Sequence, residues 1–191
     1  YRDIILHNDV HEANREAAGL PDRAAAKRFI YCLVYGGGNS KLGETVGGSA
    51  AEGKRLKEQF FKNNPAFLKL VNGVQNFAEK NKYLPGLDKR HLIVRSAHSA
   101  LNLLLQSAGA LISKRALVIF KQLLKEHQLE DKVKLVLWIH DEFQIQFRED
   151  LDEDTIGKLA VQSFKEAGEH YKFKCPITGE YSTGRNWAET H

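Results

Sequence analysis

The sequence predicts an α+β fold, and three observations carry that expectation. Apart from one short candidate strand, the first 127 residues break at glycines and prolines into segments that read as helices. Phe143-Gln144-Ile145-Gln146-Phe147 alternates strictly and follows an apolar run, so the two read as arms of a β-hairpin. Residues 152–171 then return to helical periodicity and are expected to pack on that hairpin.

The elements follow in order. Residues 9–18 read as a short helix capped by Asn8 or Asp9. Pro21 suits a first helical turn that Ala24–Tyr35 continue, and Gly36-Gly37-Gly38 stops it. Ser49–Asn63 and Ala66–Asn81 read as two more helices with Pro65 between them, and residues 91–95 as a strand. Ala100–His127 is a long helix with an apolar stripe through Leu101, Leu104, Leu105, Ala108, Leu111 and Ile112. Lys132–Ile139 is the first arm of the hairpin, and the end of the chain has no regular pattern.

Composition narrows the class. With 191 residues and 42% hydrophobic content, the chain is expected to fold around a real core. Charge is unevenly spread: residues 41–91 are net +5, whereas residues 132–191 are net −3. The basic middle suits a polyanion, although ordinary solvated surface explains it as simply. Cys32 and Cys175 form no CxxC and have no His at zinc spacing, so both read as reduced thiols. No signal peptide is visible, no apolar run is expected to span a membrane, and no membrane partner is expected. The chain has no methionine, even at position 1, which predicts a piece of a longer translated product.

Two constellations carry chemistry. Arg23, Lys27, Tyr31 and Tyr35 stand four apart, so about 40° separates successive side chains around a helix. One helix face then holds a guanidinium, an ammonium and two phenol rings, which suits a ligand with phosphates at one end and a stackable ring at the other. Each residue alone fits an ordinary amphipathic helix; the row, ending in Tyr35-Gly36, favours a nucleoside triphosphate. The second constellation is His140-Asp141-Glu142 at the hairpin turn. Two exposed carboxylates there suit a hard divalent cation, although acidic residues are common in turns.

Read together, these motifs resemble the C-terminal part of a family A DNA polymerase of the phage-encoded branch. Arg23 to Gly36 is similar to the family's fingers-helix motif, and Val136-Leu-Trp-Ile-His140-Asp141-Glu142 resembles its palm motif. Arg95 to Gly109 resembles the palm helix that touches the primer–template minor groove. Asn8-Asp9-Val10-His11 is similar to the family's Asp-x-His element, and Asn186 to His191 resembles the end of phage members. The likeness implies a right-hand polymerase fragment. Residues 1–83 would be helical fingers, and 84–191 the C-terminal part of the palm, with a long helix and part of its antiparallel sheet.

The resemblance also implies roles. Arg23, Lys27 and His11 would hold the triphosphate, with Lys27 as proton donor to pyrophosphate. Tyr31 would lie at the sugar and base, and Tyr35 and Gly36 beside the templating base. Arg95, Asn102, Gln106 and His140 would contact DNA. Asp141 and Glu142 would be catalytic and would hold Mg²⁺ in a two-metal site. Tyrosine at position 31 implies ready acceptance of dideoxynucleotides. The family's other metal-binding Asp belongs to an upstream strand motif, and no Asp here, Asp3 included, has its context. Partners implied are primer–template DNA, a dNTP and an N-terminal portion, in cis or in trans, carrying upstream palm, thumb and any exonuclease. The location implied is the cytoplasm of a host cell, and the piece alone is expected to be inactive.

Three other readings compete. A single-subunit RNA polymerase shares the fingers motif and the hairpin, but usually has Ser where Glu142 stands. A non-catalytic nucleic-acid-binding module would use the basic 41–91 segment and leave Asp141-Glu142 without purpose. A metal-dependent hydrolase would need further ligands at suitable spacing.

Overall fold

The structure is a computed structural model that describes residue 6 and residues 9–190. Asn8, Asp3 and His191 lie outside the described residues. The chain divides into two compact units, 1–106 and 107–191.

The first unit begins with α1 (Val10–Ala18), whose N-terminus is closed by the Asp9 carboxylate accepting from the N–H groups of His11 and Glu12. The next helix, α2 (Arg23–Val34), starts later than the sequence suggests, because Asp22 caps it by accepting from Ala25 N–H at 2.7 Å. Pro21 therefore precedes the cap instead of filling the first turn. The inner face of α2 buries Ala25, Ala26, Phe29 and Leu33. Most of these pack with Ala18, Leu20, Leu42, Leu56 and Phe60 in one core, and burial of a ring such as Phe29 contributes about 1.5–3 kcal/mol.

Helix α3 (Asn39–Glu44) was hidden among glycines in the sequence, and the complete burial of Leu42 holds it in place. Ser49 caps α4 (Ala50–Asn63). From α4, Gln59 and Asn63 both donate to the Ala17 carbonyl, satisfying an acceptor freed at the end of α1. Pro65 is not a spacer but the first residue of α5 (Pro65–Asn81), where its missing N–H does no harm. Two short strands follow, β1 (Tyr83–Pro85) and β2 (His91–Ile93), paired antiparallel. The expected strand at 91–95 is therefore shorter, and its partner was not anticipated. Ala78, Leu84 and Ala100 form a small core beneath them.

The unit boundary falls within α6 (Ala100–Glu126). The expected stripe is only partly inward: Leu101 is buried, whereas Leu105 is exposed. By length and composition alone, the helix over Ala97–Glu126 is apolar enough to cross a membrane, contrary to the reading of the sequence. Its second half instead supplies Ala116, Ile119, Phe120, Leu123 and Leu124 to the core of the second unit. It also carries Lys114, Arg115, Lys121 and Lys125.

In that second unit, β3 (Val133–Ile139) pairs antiparallel with β4 (Glu142–Phe147), and an irregularity falls between Leu135 and Leu137. Phe143, Ile145 and Phe147 face the core as their alternation predicts. Phe143 stacks on Phe164 of α7 (Glu153–His170) at 5.4 Å and 10°. On β3 only Val133 is buried; Leu135, Val136, Leu137 and Ile139 are 41–64% exposed.

The segment after α7 is strapped along that helix. Gly157 and Gly168 stand eleven residues apart, three turns on one face. A Cβ at Gly157 would overlap the Tyr181 ring, and one at Gly168 would meet Ile177. Tyr181 also donates from its hydroxyl to Asp154 at 2.6 Å.

Candidate nucleotide and metal sites

In the first unit, the candidate site is the outer face of α2. While Phe29 and Leu33 turn inward, Arg23, Lys27, Tyr31 and Tyr35 all point to solvent, with Tyr31 44% and Tyr35 46% exposed. Two neighbouring phenols left open on a helix with a well-buried inner face are available to a ligand, and the packing of the core does not need them. His11 of α1 extends the row. Its ring lies 6.0 Å from that of Tyr31, which lies 6.0 Å from that of Tyr35. His11 Nδ1 is buried and has no hydrogen-bond partner.

Arg23 does not stand free. Its Nε donates to Asp9 Oδ2 at 2.6 Å, so one carboxylate both caps α1 and orients the guanidinium. That Arg23 hydrogen bond, aided by the α1 N–H groups, holds the Asp9 carboxyl below its ordinary range. The same pairing raises Arg23 further, keeping it charged. The sequence marked both residues but gave no sign of the pairing, which depends on α1 packing against α2.

Helix α2 ends at Tyr35, and Gly36 takes φ +81°. This is backbone that glycine adopts without strain, and a Cβ there would sit 3.0 Å from the His98 carbonyl oxygen. Gly36 thus lets the turn before α6 approach the end of the row. On that approach, Arg95 and Gln106 are exposed. Asn102 is half-buried, with Oδ1 out of solvent and unbonded. Both cysteines are free thiols, and burial pushes Cys32 up.

In the second unit, His140 and Asp141 form the two-residue loop of the β3–β4 hairpin. His140 takes φ +52°, the left-handed sense that tight hairpins favour. His140, Asp141 and Glu142 are all exposed. Gln144 Nε2 donates to Glu142 Oε1 at 2.6 Å, and Trp138 Nε1 donates to the His140 carbonyl at 2.9 Å. An open cavity of about 1760 Å³ borders the turn, lined by Asp141, Glu142 and Gln144 and by Tyr181 and Trp187 of the strap.

Adjacent oxygen donors at an exposed turn fit a hard divalent cation. They supply only part of a coordination shell: among the described residues, no three His, Cys, Asp or Glu side chains gather as a metal site. The sequence reading missed Asp9 as partner of Arg23, Trp138 as donor to the turn, and the strap. Only the strap had a sequence signal, the two glycines on one face of α7.

The fold is a known one. The POL domain of Pol1 from M. smegmatis, described in complex with DNA primer-template and dNTP, superposes with a TM-score of 0.79 at 21% identity. The match covers 92% of this chain and 34% of that one. Helix-rich with small antiparallel sheets, the architecture is that of a right-hand polymerase fragment.

The profile of DNA polymerase family A matches residues 5–189, and the chain belongs to that family. It is 38% identical to the DNA-directed DNA polymerase of Enterobacteria phage T3 over 209 residues, and 37% identical to that of Escherichia phage T7. Each match covers all of this chain and 30% of the relative. DNA polymerase I of Pseudomonas aeruginosa is 28% identical over 99% of the chain and 22% of its own length. The chain thus spans about a third or less of these relatives.

Proposed function

We propose that this chain contributes to template-directed DNA synthesis as part of a longer polymerase, in which the deoxynucleotidyl group of a dNTP is transferred to a primer 3′-OH and pyrophosphate leaves. The observation that carries the reading is the exposed row on α2 with His11 beside it, running from cations to aromatic rings. Residues 1–83 act as fingers and 84–191 as the C-terminal part of the palm.

Arg23, Lys27 and His11 bind the triphosphate, with Lys27 able to give a proton to departing pyrophosphate. Tyr31 packs at the sugar and Tyr35 with Gly36 beside the template base. Arg95, Asn102, Gln106 and His140 contact the primer–template duplex. The two amides of Asn102 and Gln106, one helical turn apart, address minor-groove acceptors common to all correct base pairs. The exposure of Gln106 suits that role, and the half-buried Asn102 lies one turn before it.

Asp141, assisted by Glu142, would hold Mg²⁺, which would supply charge stabilisation at the reacting phosphate. A second aspartate comes from an N-terminal portion, in cis or in trans, together with the thumb. The exposed apolar side chains of β3 are consistent with further sheet or chain covering them. Such a polymerase works in the cytoplasm of the host cell.

Primer extension tests the reading. The chain alone, given Mg²⁺, dNTPs and a primed template, is expected to add nothing. Joined to an N-terminal family A portion it is expected to extend with dNTPs and not rNTPs, and Asp141→Asn is expected to abolish this. Extension by the isolated chain would overturn the incomplete-site proposal.

A further inference from the structure

We propose that Trp138 is a positioning residue for the His140-Asp141 turn, held in its own orientation by Lys114. The inference rests on the reading of Asp141 as a metal-binding carboxylate. It goes beyond that reading by naming what aims the carboxylate.

Three observations converge on the indole. Its Nε1–H donates to the His140 carbonyl, two residues on in the sequence and already in the loop, at 2.9 Å. His140 is the residue whose φ is +52°, an uncommon conformation for a side chain other than glycine. A turn built on such a residue persists only where something holds it. Next, Lys114 of α6 places its ammonium 5.5 Å from the centre of the indole ring, within cation–π range. Finally, Trp138 lies directly opposite Phe143 in the β3–β4 register, so the two side chains share one face. Phe143 is itself fixed between Phe164 at 5.4 Å and Phe120 at 5.5 Å.

The indole therefore links helix α6 to the exposed turn, on the strand face that also carries Phe143. Tryptophan suits the position because its N–H is a donor at the rim of a large flat ring. Phenylalanine would keep the packing and lose the hold on the carbonyl. With the His140 carbonyl fixed, the next peptide plane is fixed too, and with it the direction in which the Asp141 side chain leaves the backbone. The bond never touches a reacting group, so its effect on chemistry must pass through Asp141.

Trp138→Phe tests this, with Lys114→Gln as a second variant that removes the cation and leaves the ring. Two readouts are needed. In the isolated full chain, NMR is expected to show the Trp138 indole proton protected from exchange. In Trp138→Phe the His140 and Asp141 backbone signals should leave their wild-type positions while the β4 core signals stay. Lys114→Gln should move the same signals in the same direction by less.

In the chain joined to its N-terminal portion, Trp138→Phe is expected to raise the Mg²⁺ concentration giving half-maximal extension about tenfold, as loss of a group that orients a metal ligand usually does. The KM for primed DNA should not change. Unmoved turn signals in both variants, or an unmoved Mg²⁺ requirement, overturn the proposal. A wild-type assembly that makes no DNA rejects the polymerase reading instead, and the turn signals of the isolated chain still decide whether Trp138 holds His140.

Discussion

Gly157 offers a sharp test of the strap that lies along α7. Glycine inside a helix is worse than alanine by about 1 kcal/mol, because it gives up more backbone freedom. Gly157→Ala should therefore stabilise α7 if the helix stood alone. Here the added Cβ would overlap the Tyr181 ring, lying 2.5 Å from its Cγ, and the nearest obstacle is ring rather than a flexible chain end. The ring must leave, taking with it the hydroxyl bond to Asp154.

The expected result is a reversal between backgrounds. In Tyr181→Ala, Gly157→Ala should stabilise by roughly 1 kcal/mol in urea denaturation. In the wild type that gain should vanish or change sign, a coupling of about 1 kcal/mol or more between two residues 24 positions apart. Trypsin should also cleave Gly157→Ala faster than wild type at Lys172, Lys174 and Arg185. Equal stabilisation in both backgrounds with unchanged cleavage would refute the claim that glycine is there to seat the ring.

Other expectations follow from the same surfaces. The Tyr181 hydroxyl holds Asp154 below its ordinary pKa, with help from Lys158. The Asp154 contribution to the strap is therefore complete above the ordinary carboxylate value and fades as pH falls through the lowered one. The same bond raises Tyr181, so its contribution is complete below the ordinary phenol value and fades as pH rises through the raised one. Both groups are exposed, so the effect is modest. Tyr181 ring signals in NMR should stay constant between about pH 4 and pH 10 and drift outside that window. Asp154→Asn should remove the acid-side drift, and a wild type without either drift would count against the bond. At the nucleotide row, Tyr31→Phe in the joined polymerase should lower dideoxynucleotide use relative to dNTP use, by about fivefold to tenfold, the scale of one net hydrogen bond, because the Tyr31 hydroxyl would stand in for the missing 3′-OH. Equal termination by both enzymes would refute a role for the Tyr31 hydroxyl.

What the sequence disclosed was mostly local. The four-residue spacing from Arg23 to Tyr35 did describe one exposed face, because a helix of that length with Phe29 and Leu33 opposite has only one way to bury itself. The alternation of Phe143, Ile145 and Phe147 likewise chose the inner face of β4. Its neighbour β3 was silent on facing, since an apolar run does not say which side chains turn inward, and the irregularity after Leu135 changes the facing within the strand. Helix α3 and strand β1 are too short to show a period. The caps were legible as residue types, yet Pro21 and Pro65 were displaced by a residue or two. Either proline satisfies the same local rules just before or just inside a first turn. The link between Asp9 and Arg23, and between Trp138 and its own turn, needed three dimensions.

That Asp9 link has a thermodynamic side. The carboxylate serves the start of α1 and the start of α2 at once. An anion that draws Arg23 toward itself leaves Asp9 to the N–H groups of α1, and changes the balance at that helix start. Reciprocity then requires that whatever tightens or loosens the start of α1 alters the free energy of moving Arg23. Occupancy at one end of the row would in this way be coupled to the order of a neighbouring helix, and a ligand on α2 would register as altered amide exchange in the first turn of α1.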